Sequence, residues 1–168
     1  MTHDYTSTVF IRAYNDFLNS SGKVIIGNNI YFGLGCTILK GVTIGDNCII
    51  GANSLVTQNI PENSVAIGSP AKVICSLNEY YNKRKQAAVN EALEYALNIY
   101  MTQDRVPIPS DFKEEFIHFV NKNNISEFPE INAKEQLQEA FKTWKSEHQS
   151  TFSSFEQFIT AAGIPKKS

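Results

Sequence analysis

GKVIIGNNIYFGLGCTILKGVTIGDNCIIGANSLV, residues 22–56, sets a large apolar side chain at every sixth position: Ile26, Phe32, Ile38, Ile44, Ile50 and Val56. A second set two residues ahead stays apolar or small: Val24, Ile30, Cys36, Val42, Cys48, Ser54 and then Ile60. Six fits neither the 3.6-residue helical period nor the simple alternation of a strand, so the stretch reads as tandem hexapeptides.

Positions two apart share a face of a strand, and a corner after each inward pair resets the pattern every six residues. Three such sides close one turn. The corner chemistry supports an eighteen-residue coil: Gly27-Asn28-Asn29 recurs as Gly45-Asp46-Asn47, Gly33-Leu34-Gly35 as Gly51-Ala52-Asn53, and Leu39-Lys40-Gly41 as Thr57-Gln58-Asn59. Gly and Asn tolerate the positive φ that such corners need. Coils stacked about 4.8 Å apart place Ile26 on Ile44, Phe32 on Ile50 and Ile38 on Val56, a core built as columns of like residues. An ordinary sandwich with evenly spaced turns is the competing architecture, but its strands seldom hold one period through six units.

The rest of the chain is of a different kind. After Ile74 glycines nearly vanish, and Ser76-Leu77-Asn78-Glu79 forms a capping box that opens a long helix. Val89, Leu93, Ala96 and Tyr100 lie on one stripe of it, with Ala88, Ala92, Tyr95 and Ile99 beside them. Val106-Pro107-Ile108-Pro109 ends that helix. Further helix starts are expected at Asp111-Phe112-Lys113-Glu114, Asn132-Ala133-Lys134-Glu135 and Ser153-Ser154-Phe155-Glu156, and Gly163 caps the last helix. Phe112, Phe116, Phe119, Phe141, Trp144, Phe152, Phe155 and Phe158 are core for a small helical body, or packing for the repeats; lining an acceptor site is the weaker alternative. The chain therefore divides into a β domain, residues 1–75, and an α-helical extension, residues 76–168.

Charge and composition exclude several classes. A formal net charge of −2, with acids and bases interleaved, leaves no footprint for nucleic acid or an anionic membrane surface. No apolar run approaches the roughly 20 residues of a membrane span, and Met1-Thr2-His3-Asp4-Tyr5 does not read as a leader, so the expected location is the cytoplasm. Cys36 and Cys48 sit on inward repeat positions and Cys75 follows Pro70-Ala71-Lys72, which makes all three small apolar fillers in a reducing compartment. No CxxC pair or Cys/His cluster exists to hold a metal. His118 and His148 read as surface or packing residues.

The repeats resemble those of hexapeptide-repeat acyltransferases. Asn59-Ile60-Pro61-Glu62-Asn63-Ser64-Val65-Ala66-Ile67-Gly68-Ser69-Pro70-Ala71-Lys72-Val73-Ile74 is similar to the closing segment of the maltose, galactoside and serine acetyltransferases. The resemblance implies a left-handed parallel β-helix, a homotrimer, and transfer of an acyl group from coenzyme A to a hydroxyl or amine. It also implies site residues. Thr2-His3-Asp4-Tyr5, followed by a loop and then Gly22 to Gly27, resembles the His-Asp motif of the polysaccharide-modifying branch, in which the histidine is the general base; that makes His3 the catalytic candidate. Ala52 matches the small corner residue beside pantetheine, Thr57 the next contact, and Lys72 an arginine near the adenosine phosphate. Gln58, Leu34 and Cys75 depart from that pattern, standing where a lysine, a serine and a second arginine occur. The tail, through Phe152-Ser153-Ser154-Phe155-Glu156-Gln157-Phe158 and Ala161-Ala162-Gly163-Ile164-Pro165, resembles extensions on acetyltransferases of bacterial surface-polysaccharide clusters, which implies a sugar hydroxyl as acceptor.

Such relatives carry several coils before the segment matching His3, so by this comparison the chain is N-terminally short. Two coils bury too little to stand alone, and repeat stacks need neighbours and caps. Cover is expected from the first twenty-five residues, the helical tail or other subunits. A non-catalytic trimeric module is the alternative to an enzyme. A γ-class carbonic anhydrase also uses a hexapeptide prism, but needs three histidines on zinc, and only His3 lies near the repeats.

Overall fold

A computed structural model of the chain describes residues 2–4, as backbone, and residues 6–165. The chain divides into two compact units, Met1–Arg84 and Lys85–Ser168. The first opens with β1 (Thr2–Asp4), α1 (Ser7–Tyr14) and β2 (Ser20–Gly22), where β2 pairs antiparallel with β1. The repeats follow as two coils of short strands: β3 (Ile25–Ile26), β4 (Ile30–Phe32) and β5 (Thr37–Ile38), then β6 (Thr43–Ile44), β7 (Cys48–Ile50) and β8 (Leu55–Val56). β3 pairs with β6, β4 with β7 and β5 with β8, all parallel, so each coil contributes one strand to each of three sheets. Ile26 pairs with Ile44, Phe32 with Ile50 and Ile38 with Val56, the columns expected from the period of six.

One corner of each coil is held by an asparagine ladder. Asn29, Asn47 and Asn63 have φ of 56°, 55° and 55°, a conformation asparagine adopts more readily than most residues. The Asn29 amide donates to Asn47 Oδ1 at 2.9 Å, and Asn47 donates to Asn63 Oδ1 at 3.2 Å. The same residue type therefore satisfies the backbone bend and links one coil to the next.

The eighteen-residue register breaks after Val56. It would set Ile60 on Val42, but Ile60 bridges to Ile44, sixteen residues back, and Val65 and Ala66 pair with Ile49 and Ile50 at the same shortened interval. The corner after β8 is two residues tighter than the one after β5, and a side chain makes up the difference. The Ile25 N–H donates to the Val42 carbonyl at 3.0 Å, whereas the equivalent Thr43 N–H donates to Asn59 Oδ1 at 2.8 Å. Asn59→Ala should cost about 1 kcal/mol in chemical denaturation by leaving that amide unpaired. A change below the error of the measurement would show that water replaces the side chain.

β9 (Ser64–Gly68) then adds to β7, and β10 (Ala71–Ser76) folds back antiparallel on β9 through a cis Ser69–Pro70 peptide, giving the sheet order β10-β9-β7-β4. The core concentrates in the second coil, where Val42, Ile44, Cys48, Ile50 and Val56 are buried, while Ile26 in the first coil is 47% exposed. Among the described residues the N-terminal segment does not cover that end: Val9, Ile11, Tyr14, Phe17 and Leu18 are themselves exposed.

α2 (Leu77–Gln103) begins at the expected capping box. The Glu79 N–H donates to Ser76 Oγ at 3.2 Å, and Glu79 Oε2 accepts the Ser76 N–H at 2.8 Å. The bond from the Ser76 N–H, and then one from the Ser76 hydroxyl at 2.8 Å, hold the Glu79 carboxyl below its ordinary pKa. Its continuation buries Ala92, Ala96 and Ile99, with Leu93 and Tyr100 packed beside them, in the core of the second unit. Phe112, Phe116, Phe119 and Phe158 are fully enclosed there, and Phe112 meets Phe158 edge-on with centroids 5.1 Å apart. The aromatic residues are core, as expected.

Two helix starts differ from expectation. No α-helix opens at Asp111; 3-10 turns occupy Pro109–Asp111 and Glu115–His118 instead. The Asp111 carboxylate is taken by Arg105, in two bonds of 2.7 and 2.8 Å, and by the Ile108 N–H, so it caps the turn before it rather than a helix after it. α3 (Ala133–Leu137) starts after Asn132 as expected, and α4 (Phe141–Glu147) had no distinct start signal. α5 (Phe155–Ala161) is capped one residue later than expected: Ser154 Oγ accepts the Gln157 N–H at 3.2 Å, and Gln157 Oε1 accepts the Ser153 N–H at 2.6 Å. Gly163, at φ 77°, closes that helix with its N–H on the Thr160 carbonyl.

His118 is buried in this unit, and its pKa is lowered first by burial and then by the neighbouring His148, against a bond with the Ala88 backbone that raises it. The unfolded chain therefore takes up the proton first. The stability is fully present above the ordinary histidine pKa and is lost as pH falls below it. Lowering pH from about 7.5 to about 5 should lower the denaturation midpoint of this unit, and His118→Gln should flatten the dependence. The same slope in mutant and parent would assign it to other groups.

Candidate functional site

Three of the four residues singled out in the sequence lie beside β8 or on β10, two strands in contact. Ala52 lies in the corner between β7 and β8, directly beneath Gly33: a side chain at Gly33 would run into the Ala52 backbone nitrogen and approach its Cα within 2.6 Å. That close stacking keeps the corner free of bulk and leaves Ala52 exposed. Its N–H has no hydrogen-bond acceptor among the described residues, and neither has that of Thr57 at the next corner. Both amides point to a backbone that can serve a carbonyl-bearing ligand.

Lys72 stands on β10 opposite Ile67, and Ile67 in turn occupies the space beside Gly51, next to Ala52. Lys72 is exposed and has no ion pair among the described residues. β10 also passes against β8. Ala52 and Thr57 thus flank β8 at successive corners, and Lys72 lies on the strand that contacts β8.

A fourth residue here was read only as a small inward filler. Ser54 is buried, donates through Oγ to the Gly51 carbonyl at 2.6 Å, and accepts the Gly68 N–H at 3.2 Å. It pins the corner carrying Ala52 to the end of β9. The available signal was a hydroxyl where the repeat otherwise sets apolar side chains. Leu34, one coil above Ala52's corner, is 89% exposed, and its carbonyl accepts the Asn53 N–H at 2.8 Å.

His3 lies apart in sequence but is tied to the repeats by its backbone. It sits in β1 opposite Ser21 of β2, and β2 runs against the Lys40–Gly41 corner, where Lys40 Nζ contacts Ser20 Oγ. The His3 side chain lies outside the described residues. His118 and His148 both belong to the second unit, where the His148 ring stacks on Trp144 at 4.8 Å and its Nε2–H donates to the Ile117 carbonyl at 2.6 Å. Cys36, Cys48 and Cys75 are free thiols, and among the described residues no three of His, Cys, Asp and Glu are placed to hold a metal ion. No described helix is long and apolar enough to cross a membrane.

The repeat segment is similar to known proteins. Residues 23–58 match the family described as hexapeptide repeat of succinyl-transferase. The galactoside O-acetyltransferase of Escherichia coli K12 is 50% identical over 67 residues, which cover 38% of this chain and 33% of that protein. Among solved structures, a maltose O-acetyltransferase from Clostridium difficile 630 is 45% identical over 39% of this chain and 35% of its own, with a TM-score of 0.37. A galactoside acetyltransferase in complex with coenzyme A is 48% identical over 37% of this chain and 31% of its own, with a TM-score of 0.36. The chain spans about a third of the length of the curated relatives it matches, 36% and 33% in two cases. Residues 23–58 match the hexapeptide-repeat model, and over this stretch the chain is similar to hexapeptide-repeat acetyltransferases.

Proposed function

We propose that the chain serves an acetyl-CoA-dependent O-acetyltransferase that modifies a hydroxyl of a sugar or polysaccharide. The observation that carries this reading is the pair of unpartnered corner amides of Ala52 and Thr57 at the two ends of β8, with the exposed ammonium of Lys72 on the strand that contacts β8. Amides of this kind suit the carbonyls of a pantetheine arm, and Lys72 suits the phosphates at its far end. When bound, acetyl-CoA supplies an activated acetyl thioester. A ring nitrogen of His3 takes the proton of the acceptor hydroxyl, the general-base role for which a neutral imidazole is suited.

In this reading the coils wind left-handed and three copies associate in the cytoplasm, with the coenzyme lying between neighbours. The exposed Tyr31, Leu34, Ile67, Val73 and Ile74 of the first unit are apolar surface that such an association would cover. Titration calorimetry with acetyl-CoA tests the site. A saturable isotherm is expected, and Lys72→Glu should weaken it by about 1–3 kcal/mol, an effect that added salt blunts. Unchanged affinity would remove Lys72 from the site. The open first coil favours a second reading, a non-catalytic trimeric module, which predicts no saturable acetyl-CoA binding at all.

A further inference from the structure

The second unit carries a groove of about 540 Å³ that the reaction does not use. It is formed by the turn Asn121–Asn123, the end of α4 from Ser146, the segment through Ser153, and Gln157 of α5. We infer that this groove is a binding site for a neutral saccharide; the inference rests on the sugar-acceptor reading above.

The lining selects the ligand class. Its side chains are amides, hydroxyls and one imidazole, with one cation, Lys122, and one anion, Glu147. A phosphorylated ligand calls for clustered Arg or Lys, and an apolar one for an apolar lining. A neutral polyhydroxyl compound, which both donates and accepts, is what remains. The volume falls within the range of about 300–1,000 Å³ usual for small-ligand sites.

The groove is also held in shape from behind. Asn121 Nδ2 donates to Ser150 Oγ at 2.8 Å, Ser150 Oγ donates to the Phe152 carbonyl at 2.8 Å, and the Asn123 N–H donates to Asn121 Oδ1 at 2.9 Å. The Ile117 carbonyl can only accept, so His148 carries its proton on Nε2 and, when neutral, keeps Nδ1 as an acceptor. By contrast, the side chains of Asn123, Gln149 and Thr151 are exposed and have no hydrogen-bond partner among the described residues. A fixed frame with free polar tips is a preorganised site for hydroxyls.

The test is amide NMR on the full chain, titrated separately with maltotriose, lactose and chitotriose, with acetyl-CoA binding measured on the same preparation. At least one saccharide should shift resonances of Asn123, His148 and Gln149, and the double variant Asn123→Ala/Gln149→Ala should bind it roughly tenfold more weakly while keeping its denaturation midpoint and its acetyl-CoA affinity. Silence of these resonances with all three sugars, or shifts confined to residues 20–76, overturns the inference even if acetyl-CoA binds. Groove shifts without acetyl-CoA binding would keep the saccharide site and overturn the acetyltransferase reading instead.

Discussion

His3→Ala is expected to abolish acetyl transfer while leaving acetyl-CoA affinity within about 1 kcal/mol, because a general base acts mainly on the transition state. The role requires the imidazole to reach the acceptor hydroxyl directly, within roughly 3 Å, or through one water, and so requires a fixed backbone. The structure supplies a means of fixing it. His3 is not a loose end but one rung of the β1–β2 ladder, opposite Ser21, and β2 is stitched to the Lys40–Gly41 corner. The loss should be on the order of 10²–10⁴ in kcat, measured as acceptor-dependent release of free thiol. His3→Gln, which keeps a polar side chain but cannot take the proton, should be as inactive as alanine. Equal turnover in parent and mutants would give any activity another origin.

Phe112→Ala should destabilise the second unit by about 3–5 kcal/mol, the range for truncating a buried phenylalanine. The ring is fully buried and meets four others: Tyr95 at 5.7 Å, Phe155 at 5.7 Å, Phe158 at 5.1 Å and Phe119 at 6.1 Å. Its loss removes edge-to-face pairs on several sides at once, beyond the area it buries. The single tryptophan makes the effect readable, since Trp144 lies in this unit against Phe116 and Phe141. Denaturation followed by its fluorescence should show an early transition, while acetyl-CoA affinity holds because Ala52, Thr57 and Lys72 lie in the first unit. A loss under about 1 kcal/mol would mean that the aromatic cluster repacks around the gap.

The columns of the repeat were legible because a period of six, kept through Val56, fixes which residues stack. Each of the three expected pairs is found. The slip at Ile60 was not, because it depends on the Asn59 side chain standing in for a backbone carbonyl, and asparagine at a corner is equally consistent with the full register. In the second unit the aromatic core could be read from composition and spacing. The turns around Asp111 could not, since its carboxylate answers to Arg105, six residues away, rather than to the helix that its local motif suggests. At the candidate site, Ala52, Thr57 and Lys72 were singled out through family likeness alone. Ser54 was missed because its hydroxyl, visible in the repeat, was taken as one more small inward side chain, and the strand end it holds lies fourteen residues away.

The central claim is that an acetyl group passes from coenzyme A to a saccharide hydroxyl. Mass spectrometry of maltose, a galactoside and an oligosaccharide acceptor, each incubated with the full chain and acetyl-CoA, tests it most directly. The account predicts that an acceptor gains an acetyl group in step with free thiol. Acceptors that stay unmodified, with thiol released at the same rate whether or not a sugar is present, would contradict it.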